Sequence, residues 1–414
     1  MQLEVARFLI SDKGKKVIAQ AQIALEQEGD SMRALLRLRK HTDRECAEGA
    51  WAIATLRIRG HVKFGAMASE MYFVEEALEQ ASSARAAAYH ASRFAEAGIT
   101  SVADLCGGIG GDALAFARAG LKVTLVESDP VRALFAAENA RVNGFELLID
   151  IHCMDAMRVS QIADSAWLDP SRRIGGHRVL SPDDYLPPLS FLKTLKERGF
   201  SHIGVKLSPA LDHAIAREYG AGLEFLSDCG ECKEGLLWTG FLRREEDVTA
   251  IVITQSDRNT ITGKSDDFES TPYIASGRGS FLYEPDPAVI RAHLVRTLAE
   301  QIGASLIDPQ IAYLTSDRLI STPFAKAYEI LEWFPYHLKA LKKALVDREV
   351  GRVVIKKRGF PQEPEAVRKQ LKLSGPNELI VVLTRIGKHH QAILCRLASP
   401  VRDAPPGGQN ELLS

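Results

Sequence analysis

The stretch that decides the fold is Val102-Ala-Asp-Leu-Cys-Gly-Gly-Ile-Gly-Gly-Asp112. A short apolar run, Ser101–Leu105, leads into it, and helix-forming residues follow from Ala113. Glycines at such a point let the backbone turn sharply and approach a ligand closely at the mouth of a sheet. The order of strand, glycine loop and helix therefore predicts a cofactor-binding βα unit, although a purely structural strand–helix turn has the same pattern.

The sequence on either side of this loop predicts the rest of the fold. Residues 1–98 have a helical pattern, in which the alanine-rich run Ala81–Ala97 is the clearest helix. From residue 99 to residue 255, short β-type runs alternate with helical ones, which predicts a Rossmann-like α/β domain with a doubly wound, mostly parallel sheet. The expected strands are Ser101–Leu105, Lys122–Val126, Glu146–His152, Ser165–Leu168, His202–Leu207, Leu223–Leu226 and Thr249–Thr254.

A second, smaller α+β unit is predicted beyond a polar linker at residues 256–277. Its expected strands are Ser280–Tyr283, Ala312–Thr315, Arg352–Lys357, Glu378–Arg385 and Gln391–Leu397. Helices are expected at Asp286–Gln301, near Lys339–Val346 and at Pro364–Lys372. Residues 399–414, with two prolines and two glycines in succession, predict a disordered tail.

Composition narrows the class of protein. The 414 residues carry a net charge of −1, with 46% apolar and 25% charged side chains, which is typical of a globular protein. Nucleic-acid binding would therefore need a local basic patch. No long apolar run or signal-like start occurs, so we expect a cytoplasmic protein without a membrane partner. Only Cys229 and Cys232 have a metal-like spacing, and without a second pair we expect no metal site.

Acidic residues at the strand ends indicate which cofactor the loop holds. Glu127 ends the second strand, where a carboxylate can accept hydrogen bonds from both ribose hydroxyls of an adenosine, and Asp155 follows the third strand, near an adenine amino group. The spacing Gly108-Ile-Gly-Gly111 departs from the dinucleotide pattern, and Asp112 would repel a pyrophosphate. The carboxylates of Asp104 and Asp112 would instead attract a positively charged sulfonium group. These features predict S-adenosylmethionine; a nicotinamide cofactor is the less favoured alternative.

Several motifs resemble those of methyltransferases. The segments Asp104–Asp112, Val126–Pro130 and Glu138–Gly144 are similar to the first motifs of RNA methyltransferases of the trimethylguanosine-synthase and uracil-C5 types. More closely, the chain resembles bacterial class I methyltransferases with a C-terminal THUMP-like domain. The matching segments are Leu78–Ser83, Leu168–Arg173, Lys206–Asp212, Gly230–Glu234, Phe281–Pro285 and Val353–Leu373. The resemblance covers roughly residues 70–398.

This resemblance implies an enzyme that uses S-adenosylmethionine, a ferredoxin-like segment at residues 278–322 and a THUMP-like domain at residues 323–398. Together with the strand-end acids, it gives the expected cofactor-binding residues. They are Asp104, Gly108, Gly110, Gly111, Asp112, Glu127, Ser128, Asp155, Ser82 and Ser83.

The end of the fourth strand carries the candidate catalytic residues. Asp169 could accept a proton or hydrogen bond from the methyl acceptor, while Arg172 and Arg173 could hold a phosphate or a base edge. A β-turn with solvated arginines is the alternative. Lys206 either faces the same cleft or ends a strand at the surface. The expected catalytic residues are Asp169, Pro170, Ser171, Arg172 and Lys206.

The same segments limit the reaction type. No aromatic residue follows Asp169-Pro170 to stack on a flipped base, and no cysteine follows the fourth or fifth strand for covalent attack on a pyrimidine C5. We therefore expect direct in-line transfer to a nitrogen or oxygen.

Basic residues near the C-terminus suggest the partner. A run that includes Lys356, Lys357 and Arg358 is suited to phosphate contacts, and THUMP-like modules are associated with RNA in other proteins. We expect RNA, tRNA or rRNA, as the substrate, with Arg173, Glu231 and Lys233 shaping its pocket. The alternatives are a solvated helix face, a protein or small-molecule substrate, or a non-catalytic RNA-binding protein with a vestigial cofactor fold.

Overall fold

The computed structural model describes residues 1–28, 32–40, 42–174, 177–179, 181–246, 248–264 and 278–398. The chain forms two compact units. The first comprises Met1–Asp228 and Lys233–Asp247, and the second comprises Cys229–Cys232 and Val248–Ser414. In the part of the chain that is described, no helix has both the length and the apolar character that a membrane crossing needs.

The first unit begins with helices, as expected for residues 1–98. They are α1 (Leu3–Ile10), α2 (Asp12–Glu28), α3 (Met32–Leu38), α4 (Arg44–Phe64), α5 (Glu75–Gln80) and α6 (Ala84–Glu96). Helix α6 starts three residues later than predicted because the Ser83 side chain caps it, accepting a hydrogen bond of 3.2 Å from the Ala86 N–H.

An α/β layer follows the helices. Its strands are β1 (Ser101–Leu105), β2 (Lys122–Glu127), β3 (Ile149–Cys153), β4 (Ser165–Leu168), the short pair β5 (Arg173–Ile174) and β6 (His177–Arg178), β7 (His202–Leu207), β8 (Gly222–Asp228) and β9 (Glu231–Trp238). Its helices are α7 (Gly111–Arg118), α8 (Pro130–Val142), α9 (Phe191–Glu197) and α10 (Ala214–Glu218).

These strands confirm the doubly wound fold. The order is β8-β9-β7-β4-β1-β2-β3, and β3, β2, β1, β4 and β7 are parallel. Strand β9, which the sequence did not predict, runs antiparallel to β7. Leu105 is in register with both Val126 and Leu168, so the carboxyl ends of β2, β1 and β4 meet at one edge of the sheet.

The second unit contains an antiparallel pair and a seven-stranded sheet. The pair is β10 (Val248–Ile253) with β11 (Arg258–Gly263). The sheet has the order β13-β14-β12-β15-β18-β17-β16. Its strands are β12 (Phe281–Pro285), β13 (Ser305–Asp308), β14 (Ile311–Ser316), β15 (Ala325–Pro335), β16 (Val350–Lys357), β17 (Asn377–Ile386) and β18 (His389–Leu397).

Four helices accompany these strands: α11 (Pro287–Arg291), α12 (Val295–Gln301), α13 (Leu338–Val346) and α14 (Pro364–Leu371). Leu341 and Leu345 of α13 share a core with Val367 and Leu371 of α14. Both helices therefore cover the same face of the sheet.

Two expectations for the second unit need correction. Residues 258–263 of the expected linker form β11, which pairs with β10. The expected helix Asp286–Gln301 is two helices, because His293 has a left-handed φ of 60°. Strand β15 was not predicted, and it joins the expected ferredoxin-like and THUMP-like segments into one sheet. Residues 265–277 and 399–414 lie outside the described residues.

Candidate active site

A cavity of about 710 Å³ lies at the edge of the first unit where β1, β2 and β4 end. Its wall includes most of the glycine loop, residues 79–82 at the end of α5 and the start of the connection to α6, and residues 169–172 after β4. This is the position at which open α/β sheets bind ligands.

The glycine loop is shaped by backbone hydrogen bonds. The N–H groups of Cys106 and Gly107 both donate to the carbonyl oxygen of Val126, at 3.0 Å. A side chain at Gly107 would place its Cβ only 2.4 Å from Leu125. Gly110 has a left-handed φ of 87° and caps the start of α7. The loop therefore requires glycine at both positions.

Two acidic residues mark the far side of the cavity. Glu127 is buried, and its carboxylate accepts from the Gly108 N–H at 2.9 Å and the Asp129 N–H at 2.8 Å. Asp155, after β3, is exposed and accepts from the Met157 N–H at 2.9 Å. Both lie in the cavity wall beside Ser128. Each carboxylate retains lone pairs that can accept further hydrogen bonds.

Asp104 lies at the inner end of the cavity and is only 1% exposed. Its Oδ2 has no hydrogen-bond partner among the described residues. Burial, together with the neighbouring carboxylates of Asp112 and Asp169, raises its pKa well above the usual range. The carboxyl group of Asp104 is therefore buried without a hydrogen-bond partner on Oδ2 in the described part of the chain, and a positively charged ligand group would stabilise its ionised form.

Asp169 stands at the end of β4 and is held by Lys206. The Lys206 ammonium lies 2.6 Å from Asp169 Oδ2, 3.0 Å from Ser82 Oγ and 3.2 Å from the Gln80 carbonyl oxygen. Lys206 is 2% exposed, so the alternative of a surface lysine is wrong. It does not line the cavity, but it positions three groups that do.

His90, on α6, links Asp112 to Glu234 beneath the cavity wall, and no sequence pattern identified it. Its Nδ1 lies 2.8 Å from Asp112 Oδ1, its Nε2 lies 2.8 Å from Glu234 Oε2, and its ring packs on Trp167. Although burial opposes the charged form, the carboxylates of Glu234 and Asp112 raise the pKa of His90 to about 9. His90 is therefore a buried cation at neutral pH.

The contacts close into a ring. Ser82 Oγ lies 3.3 Å from Asp112 Oδ2 and 3.0 Å from the Lys206 ammonium, which is 4.0 Å from Glu234 Oε1. We call Asp112, His90, Glu234, Lys206 and Ser82 the buried ring. Sequence motifs included Ser82, Asp112, Lys206 and Glu234 but did not indicate that they form a ring, because His90, which links Asp112 to Glu234, lies within an alanine-rich helix.

Lys63, which no sequence pattern identified either, stabilises the wall formed by the end of α5. Its ammonium donates to the carbonyl oxygens of Leu78, Glu79 and Ala81 at 2.8, 2.7 and 2.6 Å. These are carbonyl groups at the end of α5, which the helix itself leaves unpaired. Burial, with repulsion from Lys206, lowers the pKa of Lys63 to about 8.

Most expected site residues meet at this cavity. Those that line it are Ser82, Asp104, Gly108, Gly111, Asp112, Glu127, Ser128, Asp155, Asp169, Pro170, Ser171 and Arg172. Arg172 Nη1 is buried without a hydrogen-bond partner among the described residues. The side chain of Arg173 lies outside the described part of the structure.

Other expected residues lie elsewhere. Gly110 shapes the loop from behind the wall, and Ser83 caps α6 and donates to Asp228 Oδ2 at 2.8 Å. Glu231 and Lys233 are exposed on β9 and do not line the cavity, whereas Glu234 beside them is buried in the ring.

The expected phosphate-binding residues of the second unit are engaged internally. Lys356 pairs with Glu284 at 2.6 Å, Lys357 pairs with Glu363 at 2.5 Å, and Arg358 donates to a carbonyl oxygen and lies over the Tyr313 ring. Other basic side chains of the same run, among them Lys339, Lys342 and Lys343 on α13, are exposed. Among the described residues, no group of three or more His, Cys, Asp or Glu side chains could hold a metal ion.

Comparison with known proteins identifies the family. Residues 325–397 match the model of the THUMP domain-like family. A protein of Mycobacterium tuberculosis (strain ATCC 25618 / H37Rv), named an uncharacterized S-adenosylmethionine-dependent methyltransferase, is 31% identical over 359 residues, which cover 84% of this chain and 96% of that protein. The crystal structure of a candidate methyltransferase from Porphyromonas gingivalis W83 shares the fold, with 23% identity and a TM-score of 0.75 over 93% of this chain and 99% of that one. The chain therefore belongs to the S-adenosylmethionine-dependent methyltransferases.

Proposed function

We propose that this enzyme methylates a nitrogen or oxygen atom of RNA, in tRNA or rRNA, by direct in-line transfer. The observation that carries the proposal is the position of Asp169 and Pro170 in the wall of the cofactor cavity, with Lys206 fixing the Asp169 carboxylate. Such a carboxylate can orient an N–H or O–H group for attack on a methyl group.

The cavity residues fit S-adenosylmethionine, which supplies the activated methyl group when bound. Glu127 would accept hydrogen bonds from the ribose hydroxyls, and Asp155 would accept one from the adenine amino group. The unpartnered Oδ2 of Asp104 would meet a positive group of the donor. Ser82, Ser128 and the glycine loop would complete the contacts.

The acceptor would approach from the β4 side. Lys206 engages Asp169 Oδ2, so Oδ1 is the atom that would accept a hydrogen bond from the methyl acceptor. Cys106 also lines the cavity, but burial and the carboxylates of Glu127 and Asp169 raise the pKa of its thiol well above the usual range. A protonated thiol is a poor nucleophile, which favours direct transfer over covalent catalysis.

Three features support RNA as the substrate. Arg172 directs a guanidinium into the cavity wall, where it could hold a phosphate or a base edge. The second unit matches the THUMP domain-like model, and such modules are associated with RNA in other proteins. Helix α13 exposes Lys339, Lys342 and Lys343, which suit phosphate contacts. An RNA substrate would also imply the cytoplasmic location expected from the sequence.

The test is methyl transfer to RNA from cells that lack the protein. Purified enzyme is incubated with this RNA and isotopically labelled S-adenosylmethionine, and the nucleosides are analysed by mass spectrometry. We expect one labelled methylated nucleoside, absent when Asp169→Asn replaces the wild type and retained with Lys233→Gln, a surface substitution on the same strand as Glu234. Labelled protein or metabolite in a cell extract, with unlabelled RNA, would contradict RNA as the substrate.

A further inference from the structure

The inner end of the cavity has more negative than positive groups. Among the described residues at this end, the carboxylates are the buried Asp104, Asp112 and Glu234 and the partly exposed Asp169, and the buried cations between them are His90 and Lys206. The nearby Lys63 ammonium already donates to three carbonyl oxygens. Counted together, the four carboxylates exceed the two cations by two negative charges, and Asp104 Oδ2 has no hydrogen-bond partner among the described residues.

The cavity wall shows the same excess. Its basic side chains, in the described part of the chain, are Arg132 and Arg172, and Arg132 pairs with Glu76 at 2.9 Å. Its acidic side chains are Glu79, Asp104, Asp112, Glu127, Asp155 and Asp169. A site with this balance favours ligands with a net positive charge.

S-adenosylmethionine carries two positive groups, its sulfonium and its ammonium. Methyl transfer breaks the bond between sulfur and the methyl carbon and returns the electron pair to sulfur. The product, S-adenosylhomocysteine, therefore keeps the ammonium and has an uncharged thioether. Donor and product differ by one positive charge, at the sulfur that carries the transferred methyl group.

Two of the carboxylates that line the cavity lie on or directly after neighbouring strands: Asp104, whose Oδ2 has no hydrogen-bond partner among the described residues, and Asp169, whose Oδ2 contacts Lys206. Asp104 is in register with Trp167 of β4, and Asp169 lies two residues further along, towards the mouth formed by residues 170–172. Asp104 is almost fully buried, whereas the side chain of Asp169 is 23% exposed. Asp169 is thus nearer the side from which an acceptor approaches, and Asp104 is further in.

We propose that Asp169 makes the cavity selective for the cationic methyl donor over its product, while Asp104 binds the positive group that both ligands share. Transfer of the methyl group then removes the charge that Asp169 recognises and favours release of the product. Burial raises the pKa of Asp104 and, in spite of the Lys206 ammonium, that of Asp169, which agrees with a site where carboxylates outnumber cations before the donor binds.

Calorimetric titration tests the proposal without any methyl acceptor, so its outcome is independent of RNA as the substrate. The ligands are S-adenosylmethionine, S-adenosylhomocysteine and sinefungin, in which an ammonium-bearing carbon replaces the methylated sulfonium. We expect the wild type to bind the two cationic ligands at least about tenfold more tightly than the product.

Three matched Asp→Asn variants locate the selectivity. In Asp169→Asn, we expect the affinity ratio between donor and product to fall to about one. Asp104→Asn is expected to lower the affinity for all three ligands by a similar factor, so that the ratio between donor and product is preserved. Asp155→Asn, at the far side of the cavity, is expected to preserve this ratio too. Thermal denaturation of each variant establishes that it is folded.

Three results would overturn the proposal. One is a wild-type enzyme that binds the product as tightly as the donor, a result that needs no variant. Another is a donor preference that survives in Asp169→Asn. A ratio that collapses in Asp104→Asn while persisting in Asp169→Asn would mean that Asp104, and not Asp169, recognises the donor.

Discussion

The glycine-loop cavity of the first unit and the basic stretch at residues 356–358 of the second unit both have sequence patterns typical of ligand binding. In the part of the chain that the structure describes, the cavity has polar atoms without partners, whereas the lysines of the basic stretch are paired with acidic residues. Around the cavity, polar groups from five segments converge, and Asp104 Oδ2 and Arg172 Nη1 have no partner among the described residues. In the basic stretch, Lys356 and Lys357 are paired with glutamates of the same unit.

The difference shows what each kind of pattern reports. A glycine motif at a strand end fixes backbone geometry, so it predicts where a cavity must be. A run of charges does not indicate which residues pair with it, because some of these partners lie far away in sequence. Glu284, which pairs with Lys356, is 72 residues away. Four predictions test this contrast, beginning with the largest expected effect.

Replacing Gly110 with arginine should abolish S-adenosylmethionine binding, by a factor above about 100. Gly110 has a left-handed φ of 87°, which an arginine adopts only with strain, and a Cβ there would already be in van der Waals contact with Ala136 at 3.6 Å, so we expect the longer side chain to displace the loop. Calorimetry measures the loss. Gly98→Arg is the matched control, because Gly98 has a φ of 72° with open space around it and lies outside the cavity. Equal loss in both variants would mean that strain alone is responsible.

Replacing Lys206 with methionine should reduce the rate of methyl transfer by roughly 10²-fold, the contribution of a well-positioned acid–base group. The cause would be a displaced Asp169 carboxylate, since Lys206 itself does not reach the substrate. The expected signature is therefore a lower kcat with little change in the KM for the methyl acceptor. Unchanged kcat in a folded Lys206→Met enzyme would remove Lys206 from the positioning role.

The buried ring should make stability depend on pH through His90. Its folded-state pKa, about 9, lies above the ordinary value of 6.5, so its stabilisation is complete below about pH 6.5 and is lost as the pH rises to about 9. The shift corresponds to about 3 kcal/mol of unfolding free energy. Urea unfolding between pH 6 and 9.5 measures it. His90→Gln should lack this slope, and an unchanged slope would show that another group causes it.

The smallest effect concerns the second unit. Replacing Lys339, Lys342 and Lys343 with glutamine should weaken RNA binding and reduce its salt dependence, by about 0.7 in log–log slope for each phosphate that is no longer neutralised. Fluorescence anisotropy with bulk tRNA at several salt concentrations measures both. The comparison variant is Lys357→Gln, expected to bind as the wild type. Weaker binding by Lys357→Gln alone would restore the original assignment to residues 356–358.

The sequence predicted those strands and helices whose hydrophobic pattern is contained within the element itself. Alternating apolar runs located β1, β2, β4 and β7, because fully buried parallel strands are continuous apolar segments. Strand β15 was missed because its residues are only half buried and mix charged with aromatic side chains. The break at His293 was invisible because a left-handed residue in a short connection has no clear sequence signal.

The residues that line the cavity could be predicted from the sequence, but the buried residues that hold them in place could not. Asp104, Glu127 and Asp169 were found because each follows or ends a strand, a position that topology brings to the sheet edge. His90, Glu234 and Lys63 act from behind the wall, and their partners lie 22 to 144 residues away in the chain or are backbone carbonyl groups. Only the folded arrangement shows that they are neighbours.

The most direct test of the central claim is a crystal structure of the enzyme with S-adenosylhomocysteine. The account predicts one molecule in the cavity, with the ribose hydroxyls on the Glu127 carboxylate, the amino group on Asp104 and the sulfur directed towards Asp169. A ligand bound elsewhere, or bound with Glu127 and Asp104 both unengaged, would contradict it.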